Sequence, residues 1–293
     1  MVDVVDDEDV VVDDDDVVAG DDVDVRAGGS DVVEGSELPV QATRTTIGIS
    51  NARRISGQVI CRPGLPTGPG PGSRGTEPRG TFRLMATVRR LTDSCLLVTT
   101  DTAATLIDPG FHTFESGEID LDSIGVVTRI CITHEHKDHV SPPFVTWVLD
   151  RGSDVVVYSN EAVAKLLEPH GIEVEEILPD GLRGEDVLHE ALPNGARPPN
   201  RSFTVEGLLT HPGDSHQPAS TAPILALPLI APWGSVTSAV EFAKVVGPRQ
   251  VIPIHDFYLN GPGREFAARI ARSGLEGTDI EVLELGWGDS ITV

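Results

Sequence analysis

The sequence predicts an α/β layered domain over residues 85–293, preceded by an extension that lacks a core-forming pattern. Three observations carry that prediction. Short apolar runs recur between turn residues, as strands do. Helical patterns with recognisable start and stop signals lie between those runs. Composition changes abruptly at Met85, and the 209 residues from there onward suit one domain.

Taken in order, Met85-Ala86-Thr87-Val88-Arg89-Arg90-Leu91 reads as the first strand. Further strands are expected at 94–100, 104–107, 126–132, 154–158, 203–210, 223–230, 250–254 and 280–284. Helices are expected at 142–150, opened by prolines, and at 160–169, 235–246 and 263–273. Ser235 is placed to cap the third of these, and Gly247-Pro248 to stop it. The loops 111–118, 141–144, 191–202 and 231–235 are left to line a pocket.

The first 84 residues read differently. Residues 1–37 hold 15 acids and one base, Arg26, and alternate Val and Asp clusters with neither strand nor helix period. Like charges at that density repel, and so little apolar surface cannot offset the entropy of ordering. Residues 62–80 are rich in Pro and Gly and read as linker. Residues 1–84 are therefore expected to form a disordered acidic extension. An interaction tail is the alternative reading of the acidic run, and a third takes residues 1–84 as a start-site artefact with the protein beginning at Met85.

Charge and composition exclude several classes. The chain carries a net −24, and residues 85–293 hold 30 acids against 14 bases. A phosphate-backbone partner needs Lys and Arg in excess, so neither RNA nor DNA is expected to bind. No apolar run reaches membrane-spanning length, and the N-terminus has no signal-peptide pattern. Cys61, Cys95 and Cys131 are too few and too scattered for a disulfide framework, which points to a reduced, cytoplasmic setting. The expected partner is a small-molecule substrate. No oligomeric state follows.

The chemistry concentrates in Thr133-His134-Glu135-His136-Lys137-Asp138-His139, directly after the strand at 126–132. Loops at strand ends are where α/β scaffolds present reactive groups. In an extended segment, residues two apart face one side, so His134 and His136 can hold one ion together. Asp138 and His139 follow in the turn, where they can face a second ion nearby. Imidazoles with a carboxylate suit Zn, Fe or Mn, with zinc the default. Neither a phosphate-binding P-loop nor a G-x-S-x-G elbow competes with this reading.

His134, His136, Asp138 and His139 match H-x-H-x-D-H, and here the chain resembles the metallo-β-lactamase superfamily. Three other stretches extend the likeness: Asp101 to Gly110, which includes Asp108; His211-Pro212-Gly213-Asp214-Ser215; and Ile252-Pro253-Ile254-His255-Asp256. The likeness falls nearest the small hydrolases similar to ascorbate-6-phosphate lactonase, not the true β-lactamases. It implies an αββα sandwich and two divalent ions, with Zn2+ first and Mn2+ or Fe2+ as options. It also implies one ion on His134, His136 and His189, another on Asp138, His139 and His255, and Asp214 bridging them. His189 is preferred over His170, whose place at a helix end suits the helix dipole.

Around those ligands, Asp108 is expected to support the metal loop from behind. His211, His216 and Trp233 are expected beside the metals or the substrate. His112 reads as a loop His that can line the pocket, and Cys131 as a small core residue. Glu135 and Lys137 are expected to point outward. Arg151 and Lys244 are further possible substrate contacts. The function implied is a metal-dependent hydrolase that uses hydroxide held between two ions on a small ester, lactone, amide or phosphodiester, with Asp138 as catalytic residue. The alternatives are a nuclease with the same signature and a non-catalytic metal-binding module.

Overall fold

The computed structural model describes residues 85–293. The acidic run, the Pro/Gly-rich linker, Cys61 and the reading of Met85 as a start all concern residues 1–84 and lie outside the described residues.

Two sheets face one another. The chain enters with β1 (Thr87–Arg90), β2 (Leu96–Thr99) and β3 (Ala104–Ile107), an antiparallel meander. A short helix α1 (Phe111–Glu115) leads to β4 (Arg129–Cys131), which pairs parallel with β3. Helix α2 (Pro142–Leu149) crosses to β5 (Val156–Tyr158), and α3 (Glu161–Leu167) crosses to β6 (Val174–Glu175). The second sheet opens with β7 (Leu182–Leu188), β8 (Pro199–Val205) and β9 (Leu209–His211), again antiparallel. It continues in parallel through β10 (Ile224–Pro228), α4 (Val236–Val246), β11 (Gln250–Ile254), α5 (Gly261–Gly274) and β12 (Glu281–Val282). The last strand, β13 (Ser290–Thr292), returns to pair with β1 in the first sheet.

Strand periodicity divides the buried side chains among three apolar layers. Ile107, Cys131, Phe203, Ile224, Ala226 and Ile252 fill the space between the sheets. Leu106 and Ile130 point the other way, onto Phe144 and Val145 of α2 and Val163 and Leu167 of α3. Leu225, Leu227 and Val251 meet α4 and α5 through Val240, Ala243 and Ala271. The result is an αββα sandwich. Cys131 is fully buried between the sheets, as its apolar neighbours in sequence led us to expect. Among the described residues, no helix is long and apolar enough to cross a membrane.

Several elements differ from the sequence reading. The run 203–210 is two strands, because Glu206 and Gly207 take left-handed conformations (φ 52° and 62°) and turn the chain between β8 and β9. The expected loop 111–118 contains α1, and the expected loop 191–202 ends inside β8. Strands β6, β7 and β13 lie at sheet edges, and β7 and β13 carry mostly exposed side chains, so no apolar alternation announced them.

Candidate metal centre

The carboxyl ends of β3, β4, β9 and β11 open at the same end of the sandwich, and each delivers one part of the cluster. After β3, Asp108 is fully buried in a left-handed conformation (φ 48°). Its Oδ1 accepts from the Thr133 N–H at 2.7 Å, and its Oδ2 accepts from Thr133 Oγ1 at 2.8 Å. The same Oδ2 lies 2.7 Å from His139 Nδ1. Asp108 thus holds the start of the 133–139 loop and one imidazole in it. Gly110 makes the approach possible: a Cβ there would lie 1.7 Å from the Asp138 carbonyl oxygen.

Three imidazoles share one arrangement. His139 Nδ1 faces Asp108, His189 Nδ1 faces the Glu190 carbonyl at 2.6 Å, and His255 Nδ1 faces the Ile230 carbonyl at 2.8 Å. A proton on each Nδ1 satisfies those acceptors and leaves each Nε2 a lone pair. All three Nε2 atoms are buried without a hydrogen-bond partner, as is Asp214 Oδ1. Buried polar atoms are seldom left unpartnered, so four orphans around one point mark a place built for a ligand. An ion fits it: neutral imidazole nitrogens and carboxylate oxygens are the donors divalent transition metals take.

Asp214 lies at the centre. Its Oδ1 is 3.0 Å from His139 Nε2, and its Oδ2 is 3.3 Å from His189 Nε2, 3.2 Å from His255 Nε2 and 3.9 Å from His134 Nε2. His134, His136, His189 and Asp214 form one group whose ligand atoms lie within 4.8 Å of one another, and Asp138, His139 and His255 form a second. Asp138 Oδ2 is 3.6 Å from His255 Nε2, and its side chain is 20% exposed, so it reaches solvent where the buried ligands do not. The structure therefore gathers all seven of the residues that the resemblance implied as ligands.

Electrostatics follow from this crowding. Burial holds the His134 imidazole well below its ordinary pKa, and burial with His189 beside it lowers His136. Burial also works against charge on His139 and His255, but the carboxylates around them outweigh it. Asp214, Asp108 and Asp138 hold His139 well above the ordinary range, and Asp214 lifts His255 to about 10. Burial would raise Asp214, yet His255 and His139 keep it well below a usual carboxylate. The carboxylates of the second group therefore favour positive charge at that point.

The residues expected nearby divide by position. His211 is buried behind the ligands: its Nε2 faces the Ser94 carbonyl at 2.8 Å and its Nδ1 accepts from the Gly213 N–H at 3.2 Å. The Trp233 Nε1–H donates to Asp214 Oδ2 at 3.0 Å, and the indole stands edge-on to His189 and His255. His216 stacks on Phe242 and meets the Trp233 ring edge-on, so it packs against Trp233. His112 is buried in α1 and stacked on Phe257, not loop-borne.

Other expectations need correction. Lys137 is exposed as expected, but Glu135 is mostly buried and its Oε2 is buried without a partner. Arg151 lies over Trp147 beside Asp122, and Lys244 pairs with Glu241 on α4; neither is at the cluster. Three supporting residues escaped the sequence reading. Asn200 holds the Asp214 turn, accepting from the Asp214 N–H and donating to the Pro212 carbonyl. Asn160 caps α3 and donates to the Thr133 carbonyl, and Asp93 contacts the His255 loop. The helix start at Asn160 was legible; its second bond was not. Asn200 and Asp93 had no local pattern.

Comparison with known proteins bears on this geometry. The model of the metallo-beta-lactamase superfamily matches residues 88–221. Protein Rv0786c of Mycobacterium tuberculosis is 30% identical over 177 residues, which cover 55% of this chain and 80% of that protein. A Parabacteroides distasonis protein, described as a candidate metal-dependent hydrolase, superimposes with a TM-score of 0.55 at 22% identity, covering 68% of this chain and 92% of its own. Igni18, a metallo hydrolase of Ignicoccus hospitalis, gives 0.54 at 17% identity, covering 71% and 98%. At those identities the structural likeness is one of fold.

Proposed function

The chain belongs to the metallo-beta-lactamase superfamily of metallo-hydrolases, and from that premise we propose a metal-dependent hydrolase that cleaves a small ester, lactone, amide or phosphodiester. The observation that carries the proposal is the set of orphaned Nε2 atoms on His139, His189 and His255 around Asp214. In this reading His134, His136 and His189 would hold one divalent ion, Asp138, His139 and His255 would hold another, and Asp214 lies between both groups. Zinc is the first choice from the donor set, with manganese and iron next. When bound, such a pair would supply a nucleophilic water at neutral pH and polarise the bond to be cleaved.

The chain's own residues do the rest. Asp138 is the partly exposed carboxylate, placed to orient the attacking water and take its proton. Asp108 fixes the His139 ring through Nδ1, so that its Nε2 cannot turn away. The Trp233 N–H holds one oxygen of Asp214 and keeps that carboxylate from rotating. The acidic balance of residues 85–293 favours a small substrate over a nucleic acid, and the buried thiols of Cys95 and Cys131 suit a reduced, cytoplasmic setting. Metal analysis of the purified chain, followed by a screen of lactones, phosphodiesters, amides and thioesters, tests the proposal. Two equivalents of metal with metal-dependent turnover of one class is the expected result. Metal-free protein that neither takes up ions nor gains activity with them would refute it.

A further inference from the structure

Behind His255 lies a buried polar group that the proposed chemistry does not use. Thr92, Asp93 and Ser94, between β1 and β2, are all at most 2% exposed. Asp93 has a φ of 53° and His255 a φ of 61°, and these two left-handed residues touch. The His255 N–H donates to the Asp93 carbonyl at 3.4 Å, and the Phe257 N–H donates to Asp93 Oδ1 at 3.2 Å. Asp93 therefore spans both sides of the bend that carries His255. Asp93 Oδ2 has no partner and lies 3.8 Å from His112 Nε2, which is likewise buried and unpartnered. The His112 ring then stacks on Phe257, at 3.7 Å between centroids.

A buried carboxylate with one main-chain donor is costly, and a left-handed side-chain-bearing residue adds strain. Burial pushes the Asp93 carboxyl up to about 6, against the pull of His255 and His139. Structures retain such groups where something else depends on them, and what depends on this one is the direction of His255.

We propose that Asp93 is a positioning residue for the second cation group. It fixes the bend at 255–257 before any ion arrives, so that His255 Nε2 faces Asp214 and Asp138. The inference rests on the metal-site reading above. It assigns Asp93 to the Asp138–His139–His255 group alone, because its contacts among the ligands are with His255.

Cobalt(II) titration of the full chain, followed by visible absorption, tests this with two variants. Asp93→Gly removes the carboxylate but keeps the left-handed backbone without steric cost. Asp93→Asn keeps an Oδ1 acceptor for the Phe257 N–H and also tolerates that conformation. The wild type is expected to take two equivalents. Asp93→Gly should bind the first as the wild type does and the second roughly tenfold to a hundredfold more weakly, the usual cost of losing a ligand's outer support. Asp93→Asn should restore the second. Equal weakening of both sites, or a glycine variant with two wild-type affinities, would overturn the inference, as would failure of the asparagine to rescue. If the glycine variant does not fold, hydrogen exchange on the metal-free wild type decides: slow exchange at 255–257 supports a preformed bend, and fast exchange overturns it. A wild type that takes up fewer than two equivalents defeats the underlying metal reading instead.

Discussion

Asp214 is the residue on which both ligand groups converge, with contacts to His134, His139, His189 and His255. Asp214→Ala and His134→Ala are each expected to strip metal and activity together while leaving a folded domain, measured by metal analysis beside circular dichroism. Either variant keeping two equivalents of metal would contradict the assignment. The protonation pattern gives a second prediction. Without metal, the surrounding carboxylates push His139 well above its ordinary pKa and lift His255 to about 10, which favours the protonated form of both. A cation must displace those protons. Affinity should therefore rise as pH increases from 7 toward 10, and fall as pH drops, with proton release on binding. Calorimetry in two buffers of different ionisation enthalpy measures it; binding without proton release would refute the scheme. Much of this residue set was legible. His134, His136, Asp138 and His139 sit within six positions, so their spacing alone revealed them. His189 and His255 depend on strands far apart in sequence, and only the resemblance pointed to them. Asp93 and Asn200 act through hydrogen bonds to backbone groups distant in sequence, which leave no trace in local sequence.

At the level of elements, the turn from β3 into α1 is the tightest junction in the site. Gly110→Ala would drive a methyl group into the Asp138 carbonyl. It should destabilise the domain by roughly 1–3 kcal/mol through overpacking and weaken metal retention with it, read by thermal melts and metal analysis. Ser235→Ala offers the contrast. Ser235 caps α4 in a reciprocal box with Ser238, far from the ligands in role. Its loss should cost about 1 kcal/mol with metal content unchanged. Coupled loss of metal in the Ser235 variant would contradict the separation. The helices were readable because prolines, caps and a stop at Gly247 bracket them. The edge strands were not: β7 reads Leu-Arg-Gly-Glu-Asp-Val-Leu and owes its conformation to seven pairings with β8.

For the domain as a whole, the sandwich matters because it brings the carboxyl ends of parallel strands from both sheets to one edge. Neither sheet alone holds a complete group: His134, His136, Asp138 and His139 follow β4, whereas His189, Asp214 and His255 follow strands of the other sheet. Metal binding should therefore couple the two sheets and raise the melting temperature. Residues 85–293 carry 30 acids and 14 bases. No gel shift with single- or double-stranded RNA or DNA is expected even at low salt, and a salt-sensitive shift would favour a nuclease.

The central claim is that one constellation binds two cations. Anomalous diffraction from a zinc-loaded crystal tests it most directly. Two peaks about 3.5–4 Å apart, flanking the Asp214 carboxylate and each within bonding distance of its own histidines, are the predicted result. A single peak, or none among these seven side chains, would contradict the account.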